Sequence, residues 1–208
     1  MIDIPKRLIV TGTDTGVGKT LVSAILVTGL RGYYWKPVQS GTDCGCDSDW
    51  IRGKTALPKH HFFPETYCLG GYMSPHAAAA RENVDIKLEV FQQPVLDSIH
   101  HLVIEGAGGL MVPLSDKWLM LDLIKKLNAP VLLAARSGLG TINHTLLSLE
   151  KLKNSGIDVF AVVMNGPKDE GNRKAIERFG KTEVVAQIEP MDEINAETLK
   201  VAFQKYFG

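Results

Sequence analysis

Short apolar runs, each stopped by glycine or by a polar pair, recur along the chain. Residues 7–11 halt at Gly12, Tyr33-Tyr34-Trp35 at Lys36-Pro37, Leu102-Val103-Ile104 at Glu105-Gly106, and residues 159–164 at Asn165-Gly166. Residues 130–135 form another such run. Runs this short and this apolar, bounded by turn residues, predict buried strands. Between them the apolar step lengthens to three or four residues, which predicts helices over 21–30, 119–127, 141–154, 172–179 and 196–207. Ser74-Pro75, followed by His76 and four alanines, has the cap and proline of a helix start. A helix is also expected over 87–99, and a shorter one from Asp49 or Trp50 with Ser48 as its cap. Short strands are expected at 66–69 and 184–185, while residues 40–48 are all small or polar and read as loop.

Strands alternating with helices predict an α/β fold: one domain over residues 1–208, a mostly parallel sheet with helices on both faces. Ligands in such sheets sit beyond the carboxyl ends of the strands. Thr11-Gly12, Lys36-Pro37, Glu105-Gly106 and Asn165-Gly166 all stand at strand ends, so a single crevice can gather them.

Composition narrows the choice. Lys and Arg number 23 and so do Asp and Glu, leaving no net charge. Binding duplex nucleic acid or an anionic membrane relies on excess positive charge, so neither partner is expected. Hydrophobic residues at 45% and charged residues at 22% suit an ordinary folded domain. No apolar run reaches membrane-spanning length, and no leader-like segment opens the chain, so a cytoplasmic protein is expected. Cys44, Cys46 and Cys68 are an odd number, which argues against a disulfide framework. With His60 and His61 they admit a zinc reading, but the spacing is not that of a structural zinc site. Free thiols in a loop are the simpler reading.

The strongest signal is Gly12-Thr13-Asp14-Thr15-Gly16-Val17-Gly18-Lys19-Thr20, between a predicted strand and a predicted helix. Small residues let successive backbone N–H groups from Asp14 to Gly18 turn around a phosphate. The lysine serves the terminal phosphates and the hydroxyl of Thr20 serves Mg²⁺. This is the P-loop NTPase arrangement, although the first glycine of the common spacing falls on Thr13, one residue after Gly12.

Other strand-end residues add chemistry. Lys36 can neutralise a transferring phosphate or an anionic substrate. Glu105 can hold Mg²⁺, with the glycines after it bringing backbone close to an oxyanion; Asp49 and Asp47 are a second source of carboxylate. Ser137 to Asn143 opens a long helix whose free N–H groups suit a carboxylate, or is an ordinary glycine and threonine cap. Asn165 can read a base edge or simply form an Asn-Gly turn. His76 and His144 are expected as cap or packing residues.

Taken together, the phosphate loop, Trp35-Lys36-Pro37-Val38-Gln39-Ser40-Gly41, Ser74-Pro75-His76, Glu105-Gly106-Ala107-Gly108-Gly109, Leu139-Gly140-Thr141-Ile142-Asn143-His144 and Val163-Met164-Asn165 closely resemble the dethiobiotin synthetase family. The resemblance runs in the same order from about residue 7 to 166. It implies a cytoplasmic ATP- and Mg²⁺-dependent ligase acting on 7,8-diaminopelargonic acid and CO₂. A carbamate would attack the γ-phosphate of ATP, and the resulting carbamic–phosphoric anhydride would close to a cyclic urea. By position, Lys19 and Lys36 would stabilise carbamate and γ-phosphate, and Thr20, Asp49 and Glu105 would hold Mg²⁺. Thr15, Ser40 and Gly108 would orient the diamine. Asn165, with Glu193, would serve the base. Gly140, Thr141 and Asn143 would hold the substrate's far carboxylate across a homodimer interface.

Two departures stand out: Gly16 occupies a position where many relatives carry Glu, and Ala186-Gln187-Ile188-Glu189-Pro190 replaces a Gly-x-Ile-Pro segment. The competing expectations are a partitioning or cobyrinate-amidating ATPase, or a nucleotide-dependent interaction module. The first usually carries an additional lysine early in the loop, where Gly12 and Thr13 stand; the last has no need of Lys36-Pro37-Val38.

Overall fold

A computed structural model describes residues 2–42 and 45–208. Its centre is a seven-stranded sheet in which every pairing is parallel. The strands are β1 (Arg7–Gly12), β2 (Tyr33–Trp35), β4 (Phe62–Phe63), β6 (Leu102–Gly109), β7 (Val131–Arg136), β8 (Val159–Asn165) and β9 (Val184–Ile188), in the order β4-β2-β6-β1-β7-β8-β9. A separate parallel pair joins β3 (Val38–Ser40) to β5 (Tyr67–Leu69). The helices are α1 (Lys19–Leu30), α2 (Asp47–Thr55), α3 (Pro75–Glu82), α4 (Met120–Leu127), α5 (Thr141–Asn154), α6 (Glu170–Gly180) and α7 (Ala196–Tyr206). No helix among the described residues is long and apolar enough to cross a membrane.

Helices cover both faces, so the central strands are apolar in every position rather than in every second one. Successive residues of β1 divide between two cores, Leu8 and Val10 on one side and Ile9 on the other. The first side packs against Ile25 and Leu26 of α1 and Leu199 and Phe203 of α7; the second packs against Leu123 and Ile124 of α4 and Leu149 and Leu152 of α5. Each buried aliphatic side chain of this size contributes about 1.5–3 kcal/mol. The connections lead to β2 and β4 on one side of β1 and to β8 and β9 on the other. The carboxyl end of β1 therefore opens where the winding reverses, the place a parallel sheet offers a ligand.

Several expectations are corrected. No helix spans 87–99; only a 3-10 turn at Leu88–Val90 forms. Pro94 lacks the N–H a helix interior needs and its ring blocks the preceding turn. Phe91 is buried, while Val95 and Ile99 stay exposed. The helix after the polar loop begins at Asp47 with Cys46 as its N-cap, and Ser48 lies inside it, bonded through its hydroxyl to Glu65. The glycine-rich segment after Ile104 is not a loop: β6 continues through Gly109. β3 and β4 escape the apolar pattern because each is only two or three residues long. The loop over 40–48 includes residues 43 and 44, so Cys44 lies outside the described residues.

α1 and α7 approach most closely at Gly29, where a Cβ would lie 1.9 Å from Cγ of Phe203. A helical glycine normally gains up to about 1 kcal/mol from replacement by alanine. Here the added methyl meets the root of a buried ring, and overpacking of that kind costs about 1–3 kcal/mol. Gly29→Ala is expected to lower the urea midpoint of unfolding with an unchanged slope; a raised midpoint would show that the two helices are free to separate.

Candidate functional site

The phosphate loop leaves β1 at Gly12, where a Cβ would come within 2.7 Å of Val17 Cγ2 and 2.8 Å of the Asp14 carbonyl. It enters α1 at Gly18, whose φ of 93° lies in the left-handed region and whose missing Cβ makes room for the Asn165 amide. Gly18 brings no side-chain cap to the helix. The first N–H groups of α1 are therefore available to an anion. Lys19, the first helical residue, is largely buried and curls back so that Nζ donates to the Asp14 carbonyl at 3.0 Å. Burial holds its pKa down at about 8, Glu105 opposing that effect and Lys36 reinforcing it.

The loop faces β6 across a local break in pairing. Val10 pairs with Glu105 and Gly12 with Gly109, so two steps along β1 correspond to four along β6. Such a bulge re-aims side chains at a sheet end. The break begins just past Glu105, which is wholly buried and accepts three hydrogen bonds: from Thr20 Oγ1 at 2.9 Å and Lys36 Nζ at 3.2 Å on Oε1, and from the Tyr34 hydroxyl at 3.0 Å on Oε2. Burial, with the carboxylate beside it, drives the Tyr34 pKa well above its ordinary range, so it remains a donor. Gly108, at φ 63°, lies next to Thr15.

Lys36 directly follows β2 and is nearly sealed, its ammonium shared between Glu105 and Asp47. Burial alone would lower its pKa, but the two carboxylates outweigh burial and raise it, so Lys36 is a cation. Asp47 is steadied by its backbone N–H, which donates to Gln39 Oε1 at 3.2 Å. Asp49, the other expected carboxylate, is placed differently. With α2 starting at Asp47, a residue two positions on is turned by about 200°. Asp49 accordingly faces outward, paired with Arg52 at 2.7 Å, and takes no part in the wall that Asp47 helps to form.

These groups line a cavity of about 810 Å³. Thr15, Gly16, Gly18, Lys19, Thr20, Lys36, Ser40, Glu105 and Gly108 all border it. Its outer wall is apolar, from Trp50, Tyr72, Met73, Pro75 and Val112. Asp14 and Val17 lie in the loop beneath, Asp14 receiving the Thr15 N–H at 2.7 Å and the Arg136 guanidinium at 2.5 Å. Asn165 ends β8 beside the loop, 3.4 Å from the Val17 carbonyl.

The remaining expected residues are not brought to this cavity. Gly140 caps α5 at φ 88°, Asn143 is exposed, and Thr141 is sealed with its hydroxyl turned to the Arg136 carbonyl, leaving only its backbone for a ligand. Glu193 is exposed on the segment between β9 and α7. His60 and His61 gather around Tyr33, and His76 bonds Ser74. Among the described residues no group of three or more His, Cys, Asp or Glu side chains is placed to hold a metal, so the zinc reading finds no ligand set there.

Sequence reasoning missed Tyr34, Gln39, Arg136 and the apolar wall. Arg136 carried a signal, a cation closing the apolar run of β7; the others had none apart from their partners' positions.

A family model described as AAA domain matches residues 6–198. An ATP-dependent dethiobiotin synthetase of Paramagnetospirillum magneticum is 46% identical over 93% of this chain and 93% of its own length. One from Rhodopseudomonas palustris strain BisB18 is 41% identical over 97% and 96%. A biotin biosynthesis bifunctional protein of Bordetella avium is 46% identical over 94% of this chain, which spans only 42% of that longer relative. Among solved structures, a Borrelia burgdorferi B31 protein described as a plasmid partition protein, bound to AMPPNP, aligns with TM-score 0.52 and 10% identity over 96% of this chain and 90% of its own. That likeness shows the P-loop fold alone. The identities above 40% over nearly full length show more: the chain belongs to the ATP-dependent dethiobiotin synthetases, a family of ATP-dependent ligases.

Proposed function

We propose that this chain, working in the cytoplasm, carboxylates 7,8-diaminopelargonic acid with CO₂ and closes the product to a cyclic urea at the expense of ATP. The observation that carries this reading is Lys36, a buried cation facing the same cavity as Lys19 of the phosphate loop. A nucleotide-binding module needs only the second lysine. Two cations on one cavity suit a reaction in which two anions, a carbamate and a γ-phosphate, must meet.

The steps follow from the placement. ATP lays its phosphates along the N–H groups of residues 14–18 and the start of α1, with Lys19 at the terminal phosphate, and its base toward Asn165. The diamine enters past the apolar wall, its methylene chain against Trp50 and Met73, its amines near Thr15, Ser40 and Gly108. CO₂ adds to one amine to give the carbamate. Lys36 attracts the carbamate and offsets its repulsion from the γ-phosphate, holding the two in line for transfer. The second amine then attacks the mixed anhydride, closes the ring and releases phosphate. Alignment and charge neutralisation are what phosphoryl transfer requires.

The donor set of Thr20, Glu105 and Asp47 fits Mg²⁺, which favours hard oxygens and one or two carboxylates beside phosphates. Bound there, the ion would neutralise charge on the β- and γ-phosphates. Gly140, Thr141 and Asn143 lie outside this cavity, which supports a homodimer in which the α5 amino end of one copy receives the carboxylate of a substrate held by the other.

Phosphate release from MgATP is expected only when diamine and bicarbonate are both present; equal release without them would overturn the reading in favour of a switch-like ATPase. Lys36→Ala should retain ATP-analogue binding while turnover falls by about 10²–10³-fold, the usual cost of one lost electrostatic stabiliser. Unchanged turnover would remove Lys36 from the mechanism.

The pH dependence of nucleotide binding follows from Lys19. Its pKa is about 8 in the free chain, and a phosphate beside it favours the protonated form. Binding thus takes up a proton once the pH exceeds 8. Nucleotide affinity should be flat below that value and fall above it, by no more than about tenfold per pH unit. Titration calorimetry in buffers of different ionisation enthalpy would register the proton uptake, and its absence at pH 9 would show that Lys19 does not meet the phosphates.

A further inference from the structure

Two thiols that the proposed reaction does not use lie beside each other, one of them at the edge of its cavity. Cys46 is the N-cap of α2, contributes to the cavity wall and directly precedes Asp47. Cys68 is exposed on β5, in register with Gln39 of β3. Their sulfur atoms are 3.9 Å apart, although 22 residues separate them in the chain. Both are free thiols.

A disulfide requires about 2.05 Å between sulfurs, so a closure of about 2 Å joins them. The backbone can supply it. Cys46 has extended φ and ψ, with its carbonyl accepting the Trp50 N–H at 3.0 Å, and follows Gly45 at φ 94°, where a glycine turns more freely than any other residue.

We propose that Cys46 and Cys68 form an oxidisable dithiol, with a peroxide as oxidant, and that their disulfide turns off the reaction at the adjoining site. The consequence for activity rests on the function proposed above; the cross-link itself does not. In the first step the Cys68 sulfur attacks one peroxide oxygen: an S–O bond forms, the O–O bond breaks, and water leaves with the thiol proton. In the second the Cys46 sulfur attacks the sulfenic sulfur of Cys68: the S–S bond forms, the S–O bond breaks, and a second water leaves with the Cys46 proton. Two thiols and one hydrogen peroxide thus give one disulfide and two waters, two electrons passing to the peroxide. Exposure favours Cys68 for the first attack.

Once formed, the bond ties the first turn of α2 to β5. Asp47, the next residue, moves with Cys46 and away from its place on Lys36. Displacements of about 1 Å at reacting groups cost on the order of 10²-fold in rate.

The test treats the purified chain with hydrogen peroxide, alkylates it and maps tryptic peptides, since Arg52, Lys54 and Lys59 separate the two cysteines. A cross-link between the peptides carrying Cys46 and Cys68 is expected, together with at least a tenfold loss of turnover that dithiothreitol restores. Cys68→Ser should keep basal turnover and resist the oxidant. Cys44→Ser should still form the link and lose turnover, which assigns the bond to Cys46 rather than to its neighbour on the same peptide. Absence of the link, a bond confined to Cys44 and Cys46, or equal inactivation of Cys68→Ser would overturn the proposal. A reduced chain that turned over nothing would instead overturn the proposed function, with the cross-link still scored by mass.

Discussion

The ammonium of Lys36 is the charge around which the carboxyl end of the sheet is arranged. An ammonium removed from water loses several kcal/mol of hydration unless opposite charge and hydrogen bonds replace it. Glu105 and Asp47 replace it from two different elements, and Glu105 is held in turn by Thr20 and Tyr34. Five residues from β2, β6, α1 and α2 are thereby fixed against one another. Their arrangement is poor as a source of stability, because a well-packed apolar set would do as well. It is good as a source of position: a missing member leaves a buried charge without its counterpart, so the set tolerates little drift.

That cluster explains features that look unrelated at first. The bulge that shifts β6 against β1 begins just past Glu105, and the glycines within it keep the strand thin beside Thr15. The short β3–β5 pair lies outside the main sheet and sets Gln39 where it holds the start of α2. The main sheet supplies rigidity and the small one supplies aim. Precision on a parallel sheet comes from strand ends, and here Arg136 ends β7 paired with Asp14 and Asn165 ends β8 beside the loop.

Most of this was legible in the sequence because strands buried on both faces announce their own ends. Lys36, Glu105 and Asn165 are each the first polar residue after an apolar run, and Lys19 and Thr20 follow a loop of recognisable spacing. What failed did so for local reasons. The start of α2 was read two residues late, so the sequence pattern did not show that Asp47 faces the cavity while Asp49 pairs with Arg52. The apolar residues flanking Pro94 imitated helical spacing that proline forbids. Tyr34 was invisible, and the role of Arg136 beside the loop could not be told, because their partners are 71 and 122 residues distant, and a pattern confined to neighbours carries no information about such pairs.

Gly16 sits at the tip of the phosphate loop, at φ 73°, with nothing within 4 Å of where a Cβ would stand. The tip therefore leans on no neighbour, and its geometry is one that glycine alone adopts without strain. A loop of this kind surrenders more conformational freedom when phosphates settle on it than one stiffened by a side chain. A side chain placed at this tip would meet backbone strain rather than crowding, so the position is kept open by conformation and not by space.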